Sequence, residues 1–127
     1  MSTKNKSVIS DTVSSCLEFA KTDRYAKQNS GWATIAAGPI AIDVGLLPRR
    51  IVLRESDSQY VVHTECFQVD EEGKADSASW CWGHYFLKSD GEKTKGRAVS
   101  LFSVKAAAMF SRHLIDDTLN RVGEDDH

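Results

Sequence analysis

The chain has 127 residues, 41% of them hydrophobic and 27% charged, which is ordinary usage for one globular domain and argues against bulk disorder. A formal net charge of −2 excludes the strongly basic balance of a dedicated duplex-binding domain. The three cysteines are odd in number and lack C-x-x-C spacing, so they do not read as a secreted disulfide framework.

The N-terminal stretch carries Lys4 and Lys6 with no apolar run behind them, which is not the pattern of a secretion signal. The least polar stretch, Trp32 to Leu47, is interrupted by Gly38, Pro39, Asp43 and Gly45 and cannot serve as a spanning segment. The cytoplasm is therefore the expected location, with no membrane partner. Charge is unevenly spread: residues 1–50 carry seven Lys/Arg against four Asp/Glu, and residues 51–127 nine against fourteen.

In chain order, residues 1–9 read as a mobile N-terminal arm, 10–123 as a single α+β domain, and 124–127 as an acidic tail. A first helix is expected over about 11–27, because Val13, Cys16, Leu17 and Ala20 recur at helical spacing and Asn29-Ser30-Gly31 follows as a stop. Residues 32–47 have no clean period. Gly38-Pro39 marks a turn, and one or two strands are expected, near Trp32–Ala36 and Ile40–Val44.

Three β-branched and aromatic runs follow, at 51–55, 60–69 and 78–87, separated by polar turn clusters. They predict a three-stranded antiparallel meander over about 51–87. Ser103 is positioned to cap a C-terminal helix over about 103–122, with Gly123 just past its end. On that helix Val104, Ala107, Ala108, Phe110, Leu114, Ile115, Leu119 and Val122 form one apolar side, opposite Lys105, Arg112, His113, Asp116 and Asn120. The expected fold is a two-layer α+β domain, a mostly antiparallel sheet packed on one face by both helices.

The most suggestive constellation is His63-x-x-Cys66 and Cys81-x-x-His84, two His and two Cys at mirrored spacing. Such a set could supply a tetrahedral zinc site, but residues three apart on a strand face opposite sides of the sheet. In one hairpin register His63 would lie opposite His84 and Cys66 opposite Cys81, each pair on its own face. Metal binding, and any other cofactor, is therefore not expected. Cys16 reads as a small core residue.

The run Trp80-Cys81-Trp82-Gly83-His84-Tyr85-Phe86 alternates so that Trp80, Trp82, His84 and Phe86 share one face, expected beneath the C-terminal helix. Tyr85, beside Gly83, falls on the other, where a glycine leaves room for a ligand or another backbone. His63 and Glu65 form the only local His–carboxylate pair on one strand face, and His113 reads as surface. Gly91 to Gly96 has the outline of a phosphate loop but continues Arg97-Ala98 where Lys-Ser/Thr is needed. Two small basic clusters remain, Arg49-Arg50 and Lys93, Lys95, Arg97.

The favoured reading is a small non-enzymatic protein-interaction module, an adaptor, inhibitor or regulatory subunit. Its candidate partner-binding residues are Arg49, Arg50, Trp82, Tyr85, Lys93, Lys95 and Arg97. Its expected partner is another protein, with self-association through an exposed edge strand as a variant. An alternative is a small enzyme or metal-dependent protein using His63, Glu65, Cys81 or His84. A third is a module for single-stranded nucleic acid, built from the aromatics and the two basic clusters.

Overall fold

A computed structural model describes residues 3–42 and 47–125, with side chains described over 11–42 and 47–111. Helix α1 spans Thr3–Ala20 and α2 Arg24–Gln28. Strands β1 (Ala33–Ala37), β2 (Arg49–Glu55), β3 (Gln59–Val69) and β4 (Ala75–Leu87) follow, then a 3₁₀ turn at Lys88–Asp90 and helix α3, Thr94–Asp125. The strands form one antiparallel sheet in the order β1-β2-β3-β4, so the fold is the expected α+β meander with one further strand. Among the described residues no helix is long and apolar enough to cross a membrane.

Polar side chains close both central hairpins. At β2–β3, Ser56 Oγ accepts from the Gln59 N–H at 3.1 Å. At β3–β4, Asp70 Oδ1 accepts from the backbone N–H groups of Glu72 and Lys74, both at 2.9 Å, and Gly73 takes a left-handed φ of 80°. Gly73 also lies close to α1: a Cβ there would come within 2.5 Å of Thr12 Oγ1.

The two long helices take opposite faces of the sheet, rather than sharing one. On one face Ile51, Leu53, Tyr60, Val62 and Ala98 form a core, joined by Phe86, Leu101, Phe102, Ala106 and Met109. On the other, Cys16 of α1 packs with Ile40 and Phe67, flanked by Val13, Phe19 and Ala78. The physical reason lies in β3. Its adjacent residues Val61 and Val62 are both fully buried, so neither face can be left to water.

Four helix boundaries shift from those expected. The first helix begins at Thr3, within the stretch read as an arm, and ends at Ala20 instead of Lys27. Thr22 Oγ1 donates back to the Phe19 carbonyl at 2.7 Å, and Asp23 adopts a left-handed φ of 47°. This turn redirects the chain into α2 and delivers Tyr25 to the sheet. In 32–47, β1 matches the first expected strand. Of the second, Ala41 makes one isolated bridge to Arg49, and residues 43–46 lie outside the described residues.

Helix α3 starts at Thr94, not Ser103, and continues through Gly123; Thr94 Oγ1 donates to the Leu87 carbonyl at 3.2 Å. The side that faces the sheet also differs from the one expected. Ala98, Leu101, Phe102, Ala106 and Met109 pack inward, while Val104 (66% exposed) and Phe110 of the expected apolar side point outward. Small residues permit the close approach: a Cβ on Gly38 would lie 2.9 Å from that of Ala106. The side chains of Leu114, Ile115, Leu119 and Val122 fall outside the described residues.

Candidate binding site

Strand β4 carries one irregularity that rearranges every candidate residue near it. His63 pairs with Gly83 and Thr64 with Cys81, leaving Trp82 as a bulge with φ 54°. An extra residue reverses the alternation of side chains. Trp80 therefore joins Tyr85 on the α1–α2 face, and Cys81 joins His84 and Phe86 on the α3 face. This corrects the expectation that Trp80 packs beneath the C-terminal helix, while Trp82 stays against Lys105 of that helix. It also displaces the mirrored register, since His84 pairs with Val62 and Cys66 with Ser79.

On the α1–α2 face the sheet buries charge. Arg54, only 1% exposed, donates from Nη2 to Glu65 Oε2 at 2.9 Å, from Nε to Thr34 Oγ1 at 2.9 Å, and from Nη1 to His63 Nε2. Arg50 Nε donates to Glu65 Oε1 at 2.7 Å and Trp80 Nε1 to Glu65 Oε2 at 3.2 Å. Burial pushes the Glu65 carboxyl up, but the charges and hydrogen bonds of Arg50 and Arg54 outweigh it and hold the carboxyl below its usual range. The carboxylate is thereby saturated, as buried charge requires.

His63 responds in the opposite sense to a free histidine. Burial first, and the Arg54 charge second, push its pKa down to about 4, so it is neutral near pH 7. With Nε2 accepting from Arg54, the ring proton sits on Nδ1. His63 and Glu65 are thus brought together, but through Arg54, as parts of a structural network.

Aromatic rings roof this network. The Arg54 guanidinium lies 4.3 Å from the Tyr25 ring centroid, and Tyr25 meets His63 at 5.1 Å, Trp80 at 5.0 Å and Trp32 at 6.2 Å, all edge-on. Trp32 in turn meets Tyr85 at 6.3 Å. Between α2 and β4 an open groove of about 520 Å³ remains, walled by Tyr25, Trp80, Trp82 and Tyr85, with His63 and Gly83 at its base. Apolar rings with a few polar groups beneath them suit a planar or apolar side chain more than an ion.

The remaining candidates disperse. Trp82 and Tyr85 are 46% and 55% exposed on the edge strand, Trp82 with the Lys105 ammonium 4.7 Å from its ring centroid. Arg50 is buried against Glu65 and so is withdrawn from the surface. Arg49 lines a second groove, on the α3 face, and Lys93, Lys95 and Arg97 are exposed around the start of α3. His84 is exposed and stacks on Phe86 at 4.6 Å, on the opposite face from His63. No group of three or more metal-ligating side chains occurs among the described residues.

Tyr25, Trp32, Arg54 and Trp80 escaped the sequence reading as site residues. One signal was present: Arg50 and Arg54 share a strand face in an otherwise apolar run, and Glu65 lies in the next strand at a pairing distance. Comparison with protein-family models, with curated proteins and with solved structures returns no match to this chain.

Proposed function

We propose that this chain is a non-enzymatic protein-interaction module, an adaptor, inhibitor or regulatory subunit, that engages its partner along β4 and the aromatic groove beside it. One observation carries the reading: an edge strand of 13 residues holds Trp82 and Tyr85 half exposed next to a groove walled by further rings. Edge strands offer unpaired backbone groups to an extended segment, and neighbouring pockets select its side chains. Tyrosine and tryptophan are enriched at such contacts because they supply large rigid area at small entropic cost. The bulge at Trp82 divides the edge, which discourages indiscriminate pairing while leaving a site of defined shape. The cytoplasm is the compartment this reading fits.

The test is crosslinked capture from the native host with the wild-type chain and with Tyr85→Ala, after sedimentation has established whether the chain associates with itself. The reading expects a defined partner whose affinity falls roughly ten-fold or more in the variant, as a central aromatic contact would give. Recovery of the same proteins by both chains, or of none, overturns it.

A further inference from the structure

Cys66 and Cys81 lie on adjacent strands with their Sγ atoms 3.3 Å apart, on the α3 face of the sheet. They are diagonal neighbours: Cys66 pairs with Ser79 and Cys81 with Thr64. Through that pairing Cys81 and Cys66 share one face of the sheet. Cys81 is exposed and Cys66 half-buried. A disulfide needs its sulfurs at about 2.05 Å, so closure draws them together by little more than an ångström.

The surroundings add a second observation. Arg49 is the register partner of Cys66, Thr64 that of Cys81, and Trp82 follows Cys81 in the chain. Arg49, Thr64 and Trp82, with Lys105 of α3, line a groove of about 300 Å³ floored by Ile51 and Met109. Neither cysteine lines this groove, but it runs along their register partners Arg49 and Thr64, and its two cations favour the approach of an anionic reagent over a neutral one. The third cysteine, Cys16, is fully buried beneath α1 and so is closed to a reagent that can reach Cys81.

We infer that Cys66 and Cys81 form a redox-modifiable dithiol that exchanges with an anionic low-molecular-weight disulfide, of which oxidised glutathione is the probe. Cys81 is the entry thiol because it is the exposed one. Its thiolate attacks one sulfur of the small disulfide. The S–S bond of the reagent breaks, one small thiolate leaves and takes a proton from water, and a mixed disulfide remains on Cys81. Cys66, as thiolate, then attacks the Cys81 sulfur and expels the second small thiol. Two protein thiols are oxidised, one disulfide is reduced to two thiols, and protons balance.

Burial, then the hydrogen bond with Cys81, pushes the Cys66 thiol up to about 11, so the second step is the slower one near neutral pH and accelerates as pH rises. This inference is independent of any partner at β4.

The test treats the reduced full chain with oxidised glutathione and follows intact mass and peptide maps. Wild type is expected to lose two hydrogens and yield a Cys66–Cys81 bridge, with Cys16 unmodified. Cys66→Ser is expected to stop at a mixed disulfide on Cys81. Lys105→Glu should slow the exchange roughly three- to ten-fold with oxidised glutathione but not with a neutral hydroxyethyl disulfide. Binding of a trivalent arsenical to the unmodified wild type reports the spaced dithiol without any substitution. Stable glutathione on wild-type Cys81 without a bridge overturns the inference, as does preferential modification of Cys16 or failure of the arsenical to bind.

Discussion

The two faces of this sheet are held by different physics. Beneath α3 the contacts are almost wholly apolar, Ile51, Leu53, Tyr60 and Val62 against Ala98 and its helical neighbours. Beneath α1 and α2 the same strands bury Arg50, Arg54, His63 and Glu65 in a hydrogen-bonded network roofed by Tyr25 and Trp80. An apolar face tolerates rearrangement, because dispersion and hydrophobic burial have no direction. A buried ionic face does not, because each charge depends on a partner at one angle and distance.

The largest expected effect breaks the ionic face at its centre. Glu65→Ala leaves two buried guanidinium groups without their shared carboxylate and should cost about 3–5 kcal/mol in urea unfolding. Replacing Arg50, Arg54 and Glu65 together by Met, Met and Leu should cost less than Glu65→Ala alone, because no orphaned charge remains. Equal or greater loss in the triple variant would mean that the ionic face contributes net stability of its own.

Leu53→Ala, on the α3 face, should cost about 3 kcal/mol through lost burial and a residual cavity. Its effect should not change with pH over the range in which the ionic face titrates.

His63 supplies that pH dependence. Its folded pKa, about 4, lies below the ordinary value of 6.5, so between these values the unfolded chain binds more protons than the folded one. Its contribution is complete above about 6.5 and is lost as pH falls toward 4. Discounted for residual solvent screening, the loss should be on the order of 1–2 kcal/mol. Urea midpoints taken across that window check it, and His63→Gln should flatten the slope.

The smallest effects are expected at the bulge that redistributes β4 between the two faces. Trp82→Gly relieves a left-handed backbone but loses the ring against Lys105, so stability should change by less than about 1 kcal/mol. Trp82→Val, a β-branched residue at positive φ, should cost about 1–2 kcal/mol. Thermal unfolding of the two variants side by side distinguishes backbone strain from lost ring contact.

Much of the architecture was legible because it rests on local pattern. The runs from Ile51 to Leu87 alternate and end in polar turn residues, and those cues fix strands and hairpins with no knowledge of what lies across the sheet. Strand period likewise predicted that the His pair and the Cys pair would lie on opposite faces, and that is what kept the mirrored His/Cys set from being taken as one site; the bulge instead sets His63 apart from His84, Cys66 and Cys81.

What the chain's own pattern could not settle was decided by contacts between distant segments. A bulge is one unpaired residue among regular ones, and Trp82 carries no turn chemistry to announce it; yet it lets β4 pair Gly83 with His63 and still place Trp80 over Glu65 and Cys81 near Cys66. The rotation of α3 was set by Ala98 and Ala106, where small side chains let the helix approach the sheet, outweighing the larger apolar side centred on Val104. The break at Asp23 carries Tyr25 onto Arg54. The sequence by itself determined the elements and the meander, through hydrophobic period and turn residues. The tertiary structure decided which residues meet, because burying charge in β2 and β3 requires partners brought from α2, β1 and β4.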